Sequence, residues 1–190
     1  YRWAKNEEFI SGAFDRTSVR SKFPIISVQG IFGVKGLLGA DYNYQKFDLF
    51  IEHIAKLSVI GRLKYQVNFG YIHGRAAYPF LKVHEGNQSY WLSTSSFNKM
   101  NFFEFISDRY VSLGIEHHFD GAFFDRIPLI KKAKFRLVIS GRGLYGAISD
   151  RHSTEMILPT FTKKFGNTPY IEVGMGIENI LKVIRVDVFW

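Results

Sequence analysis

Phe47-Asp48-Leu49-Phe50-Ile51-Glu52-His53-Ile54-Ala55-Lys56-Leu57-Ser58-Val59 keeps Phe47, Leu49, Ile51, His53, Ala55, Leu57 and Val59 on one parity, while Asp48, Glu52, Lys56 and Ser58 fall on the other. A period of two held for about a dozen residues outlasts the strands of soluble proteins, which average about 5–6 residues. It matches the roughly 9–11 residues that a tilted strand needs to cross a bilayer. The stretch predicts a strand of a transmembrane β-barrel.

The pattern returns along the chain. Leu63, Tyr65, Val67, Phe69 and Tyr71 alternate with Arg62, Lys64, Gln66 and Asn68; Val111, Leu113 and Ile115 with Ser112 and Glu116; Phe135, Leu137 and Ile139 with Lys134, Arg136 and Ser140; Ile171, Val173, Met175 and Ile177 with Glu172 and Glu178. Arg or Lys facing lipid at mid-depth costs about 2–4 kcal/mol, so one parity must carry the charge. The expected lipid-facing residues are Leu49, Ile51, Leu63, Val67, Phe69, Leu113, Ile115, Leu137, Val173 and Met175. The expected lumen-facing residues are Lys46, Glu52, Lys64, Asn68, Glu116, Arg136, Arg142, Glu172, Arg185 and Asp187. Arg185 and Asp187 share one face two residues apart, a spacing suited to an internal charge network.

The expected fold is therefore all-β, an antiparallel membrane barrel. Strands are expected at 25–35, 44–58, 62–74, 101–119, 134–146, 170–178 and 183–190. The apolar parity persists from Phe103 to Ile115, which reads as one long strand. Long outer loops are expected near 75–100 and 147–168, with tight turns at Ile60-Gly61-Arg62 and Asn179-Ile180-Leu181. Tyr44, Phe102, Phe103, Phe119 and Trp190 are candidates for the two interfacial aromatic belts. An odd number of strands does not close a bacterial barrel, so residues 1–190 are read as a partial barrel, the C-terminal portion of a larger one of about sixteen strands. No initiator Met or signal peptide is present, which agrees with that expectation.

Composition narrows the function. The net charge is +8, but no apolar run approaches the ~18–20 residues of a transmembrane helix, and there are no cysteines. The cations sit one per strand rung or in turn pairs such as Lys131-Lys132 and Lys163-Lys164, without a basic helix or aromatic RNA-binding motif, so nucleic acid is not an expected partner. Membrane lipid and lipopolysaccharide-type headgroups are.

No catalytic, cofactor or metal set emerges. His117-His118 beside Glu116 invites a metal reading, but adjacent strand residues point to opposite faces and cannot share one ion. Ser107, Ser112 and Ser140 have no histidine and acid at a useful spacing among His53, His73, His84 and His152. Gly141-Arg142-Gly143 and Gly174-Met175-Gly176 lie mid-strand without a following helix and are not phosphate loops; glycine there allows curvature or close approach of a neighbour. The expectation is a protein without enzymatic activity.

Tyr78-Pro79-Phe80-Leu81, Glu85-Gly86-Asn87-Gln88-Ser89-Tyr90, Phe105-Ile106-Ser107-Asp108-Arg109-Tyr110, Glu116-His117-His118-Phe119-Asp120-Gly121, Ile127-Pro128-Leu129 and Gly176-Ile177-Glu178-Asn179, in this order, carry a resemblance. The chain resembles the Bacteroidota-type outer-membrane proteins in which a carboxypeptidase-regulatory-like domain precedes a C-terminal barrel. More distantly it is similar to the C-terminal half of BamA-like barrels, in which a large outer loop folds back into the lumen. The corresponding loop is 75–100, whose one arginine is Arg75 at its base. The resemblance implies the bacterial outer membrane and a non-enzymatic subunit or scaffold for assembly or export of outer-membrane or surface proteins, in complex with other outer-membrane proteins. A passive solute pore and a soluble all-β binding module are the alternatives.

Overall fold

A computed structural model describes residues 1–153 and 158–190. In chain order the strands are β1 (Arg2–Ala4), β2 (Glu7–Ser11), β3 (Arg16–Ser21), β4 (Ile25–Gly33), β5 (Tyr44–Lys56), β6 (Arg62–Gly74), β7 (Lys82–Val83), β8 (Ile106–Ser107), β9 (Arg109–His118), β10 (Arg136–Ala147), β11 (Tyr170–Ile180) and β12 (Ile184–Phe189). Two single-turn helices, α1 (Pro128–Lys131) and α2 (Asp150–Ser153), sit in connections.

Eight strands form one antiparallel sheet in the order β1-β4-β5-β6-β9-β10-β11-β12, with β1 and β12 at its edges. Each expected strand is present, shortened at some ends. The period-two pattern missed β1 and the β2–β3 hairpin, whose sequences Glu7–Ser11 and Arg16–Ser21 do not alternate. It also overran at 101–119. Phe103 has a left-handed φ of 57°, and Ile106 and Ser107 leave the large sheet to pair with Val83 and Lys82. The parity survives that departure because Asp108 still bridges both neighbours, accepting from Ile72 N at 2.7 Å and donating to Ala147 O at 3.0 Å.

Connections 34–43, 75–108 and 148–169 leave from one end of the sheet, and 57–61, 119–135 and 181–183 from the other, as the register requires. Residues 154–157 of the expected outer loop 147–168 lie outside the described residues.

The two faces invert the usual arrangement. On β11, Ile171, Val173 and Met175 are 64%, 37% and 47% exposed, while Glu172 between them is 1% exposed. The even parity of β5, β6 and β9–β11 and the odd parity of β4 and β12 face inward, and residues 75–105 lie across that side from β6 to β11. Two apolar clusters seal it near the loop end. One joins Tyr44, Ile72, Ala76, Leu81 and Ile106; the other joins Phe97, Met100 and Leu144. Tyr44 is thus buried rather than in an aromatic belt, because its parity is the inner one. Phe102, Phe103 and Trp190 are exposed, and Phe119 packs on His117 and Phe123.

The β5–β6 hairpin closes through a turn that only glycine permits. Gly61 has φ 104°, and a Cβ there would run into the His118 carbonyl oxygen. Gly61→Val should therefore destabilise the folded chain by about 1–3 kcal/mol or more, read as a lower urea midpoint at unchanged slope.

Candidate functional site: the loop-covered face

The inner face is built row by row from cross-strand register. Glu52, Gln66, Gly114, Arg142 and Glu172 form one row across β5, β6, β9, β10 and β11. At its β10–β11 end Arg142 and Glu172 approach to 3.9 Å, with side chains 8% and 1% exposed. Charges so deeply placed need further partners, and the loop supplies them from its backbone. Glu172 accepts from the amides of Asn98 at 2.9 Å and Lys99 at 3.1 Å. Arg142 donates to the carbonyls of Ser96 and Thr94, and Gln66 to that of Thr94 at 3.4 Å. The segment is itself braced by Asn98, which donates to Ser93 O at 3.0 Å.

A second anchor holds the loop's base. Asp108 accepts from Ser149 N at 2.8 Å, from Ser149 Oγ and from His152 Nδ1 at 2.9 Å, while His152 Nε2 accepts from the Ala76 amide at 3.1 Å. These residues are a serine, a histidine and an acid, but both ring nitrogens are engaged. Ser149 faces the same nitrogen that serves Asp108, so the arrangement ties three chain segments together and leaves no base to take the serine proton. Lys163 joins the two long connections, donating to Glu104 Oε1 at 2.6 Å. Burial works against ionising Glu104, yet the Lys163 ammonium and the Asn101 amide hold its carboxyl below the ordinary value.

The third group lies toward the short-turn end. Arg185 donates to Glu116 at 2.8 Å and, through two nitrogens, to Asp187 at 2.8 Å each. His118 lies 2.7 Å from Glu116 and 3.1 Å from Glu178. Gly176 makes room for this: a Cβ there would strike the Asp187 carboxylate. His117 and His118 part as their parity demands, the former reaching Ile60 O at 2.9 Å on the other face. Among the described residues, no group of three or more His, Cys, Asp or Glu side chains is placed to hold a metal ion.

Of the residues expected on the polar parity, Glu116, Arg142 and Glu172 are buried, while Lys46, Glu52, Lys64, Asn68, Arg185 and Asp187 are half-buried on the same face. Arg136 is exposed at its margin, 3.7 Å from Asp120. Asn68 pairs with Ser112 at 3.1 Å. On the opposite face Phe69, Leu113, Ile115, Val173 and Met175 are exposed, and Leu49, Ile51, Leu63, Val67 and Leu137 are half-buried. Sequence reading missed Asp108, Ser149 and His152, which become neighbours only through the loops, and the carbonyls and amides of 93–99, which carry no residue-type signal.

A model of the family described as "Family of unknown function (DUF5686) C-terminal domain" matches residues 1–158. No curated protein and no solved structure matches the chain.

Two outcomes test the loop anchors. Arg142→Met and Glu172→Gln should each cost about 3–5 kcal/mol, since each leaves a buried charge or its partner unpaired. Combining Arg142→Met with Glu172→Met should cost less than the sum of the two single methionine substitutions, and limited proteolysis within 88–95 reports the release. The second concerns His84, buried in the same loop with Nε2 2.5 Å from Ser107 Oγ. Burial, with the Lys82 ammonium nearby, pushes its imidazole down to about 3. The unfolded loop, with an ordinary value near 6.5, binds a proton first. Its contribution is complete above about pH 6.5 and is lost as pH falls toward 3. Amide protection over 81–86, corrected for intrinsic exchange, should fall more than about tenfold from pH 7 to pH 4, and His84→Gln should flatten that dependence.

Proposed function

Given that the chain belongs to the DUF5686 family, whose C-terminal domain it matches over residues 1–158, we propose that it is a transmembrane β-barrel segment of the bacterial outer membrane. In this reading it acts as a non-enzymatic subunit or scaffold in assembly or export of outer-membrane or surface proteins. The observation that carries the membrane placement is the inversion of faces on β9, β10 and β11: Val111, Leu113, Ile115, Ile139, Val173 and Met175 are exposed on one side, and Glu116, Arg142 and Glu172 are buried on the other. Exposed apolar surface on that scale needs an apolar solvent. Strand lengths support it as well. The 13 residues of β5 or β6 span about 44 Å, or roughly 31 Å along the normal at a ~45° tilt, the thickness of a hydrocarbon core.

No helix among the described residues is long and apolar enough to cross a membrane, so the crossing falls to strands. Backbone groups at an open edge cannot be left in hydrocarbon. The reading therefore requires β1 and β12 to find strand partners when the barrel closes. The scaffold role draws on the resemblance and on the loop fixed across the inner face, which favours a plugged barrel. The alternative, a passive pore, draws on the cavity of about 600 Å³ that remains beside Gln29, Asp48, Asn68 and Tyr110.

Val67→Arg should abolish stable insertion into vesicles while Asn68→Arg, one residue along, should be tolerated, the difference amounting to about 2–4 kcal/mol. Equal tolerance would refute the membrane placement. Planar-bilayer recordings of the closed barrel separate the two roles: a scaffold with its loop in place should conduct little, with a rise on Arg142→Met, whereas steady conductance of the wild type supports the pore.

A further inference from the structure

Between the β2–β3 hairpin and the inner face of β4–β6, at the short-turn end, lies a cavity of about 980 Å³. Its wall carries Lys22, Lys56, Arg62 and Lys64 against one carboxylate, Glu52. Register makes the cluster compact. Lys56 stands directly opposite Arg62, which sets their Cβ atoms about 4.5–5.5 Å apart, and Lys64 follows Arg62 on the same face about 6–7 Å away. Like charges in direct opposition destabilise an antiparallel pair.

Of the nearby carboxylates, one neutralises a single member of the cluster and another is engaged elsewhere. Asp120 takes Arg62 at 3.0 Å. Glu116, which faces Lys64 from β9, is held by Arg185 at 2.8 Å and His118 at 2.7 Å. Among the described residues, Lys22, Lys56 and Lys64 have no carboxylate within 4.0 Å. The cluster is thus a concentration of positive charge on a concave wall, where the attraction of several cations for one anion adds.

We propose that this cavity binds a multiply charged, phosphate-bearing anion. A single carboxylate neutralises one of these cations, whereas a polyphosphate or a phosphorylated headgroup brings several negative oxygens within the few ångströms that Lys56, Arg62 and Lys64 span. Phe23, Ile25 and Ile54 on the same wall receive the uncharged part of the ligand. The inference goes beyond the proposed function and does not depend on membrane insertion, because the binding groups belong to the inner face.

Isothermal titration of the intact folded protein with sodium triphosphate at low salt should show saturable binding that weakens as salt rises. Lys56→Ala combined with Lys64→Ala should weaken it about tenfold or more. Lys131→Ala combined with Lys132→Ala removes the same charge beyond the cavity and should leave the affinity within about twofold. Displacement of triphosphate by the short-chain lipid dihexanoyl-phosphatidate identifies a lipid headgroup as the source; triphosphate binding without such displacement identifies a free polyphosphate, and both support the site. Absence of saturable triphosphate binding, equal affinity in the Lys56/Lys64 variant, or tighter binding of tetraglutamate than of triphosphate would overturn the proposal.

Discussion

The Arg142–Glu172 pair is the interaction on which the remaining structure depends. A sheet whose charged parity faces inward has no hydrophobic core along most of its length, and buried charge is tolerated only when every partner position is filled. Here the filling is done by the backbone of 93–99, so the strands cannot keep their charges buried without the loop, and the loop has no fixed path without the charges. The cation that grips the loop belongs to a strand. Arg75, at the loop's base, is not the centre of the arrangement.

This reciprocal dependence organises the long connections. Asp108 and His152 tie the base of 75–105 to the start of 148–169, and Glu104 with Lys163 ties them again. The apolar clusters around Ile72 and Leu144 fill the space between these anchors. The opposite wall, β4 to β6, is left with open polar cavities because the loop's hydrogen bonds gather on β10 and β11. The interior is therefore asymmetric: one side is sealed by loop backbone, and the other presents unneutralised lysines.

Much of this was legible in the sequence, for a definite reason. Side-chain parity in a strand is a geometric necessity, so Glu116, Arg142 and Glu172 could be assigned to one face and Leu113, Val173 and Met175 to the other from period two alone. Parity says nothing about where a backbone leaves the sheet, which is why the strand expected from 101 joins the large sheet only at Arg109. It also misses short elements without alternation, such as Glu7–Ser11. The loop anchors were hidden more deeply. Carbonyls of Ser96 and Thr94 act through the main chain, and His152 meets Asp108 across 44 positions of sequence. The spacing Arg185–Asp187 did point to an internal network, which Glu116 and His118 join from a strand three places away in the sheet and Glu178 from the neighbouring one.

What solvent the apolar face meets is the central claim, and the absence of native cysteines makes it directly measurable. Single cysteines at Val67, Asn68, Ser112 and Leu113, labelled with an environment-sensitive fluorophore in reconstituted bilayers, can be challenged with brominated lipid and with aqueous iodide. The account predicts strong quenching by brominated lipid at positions 67 and 113 and little at 68 and 112, an alternation with period two. Quenching by iodide alone at all four positions would contradict it.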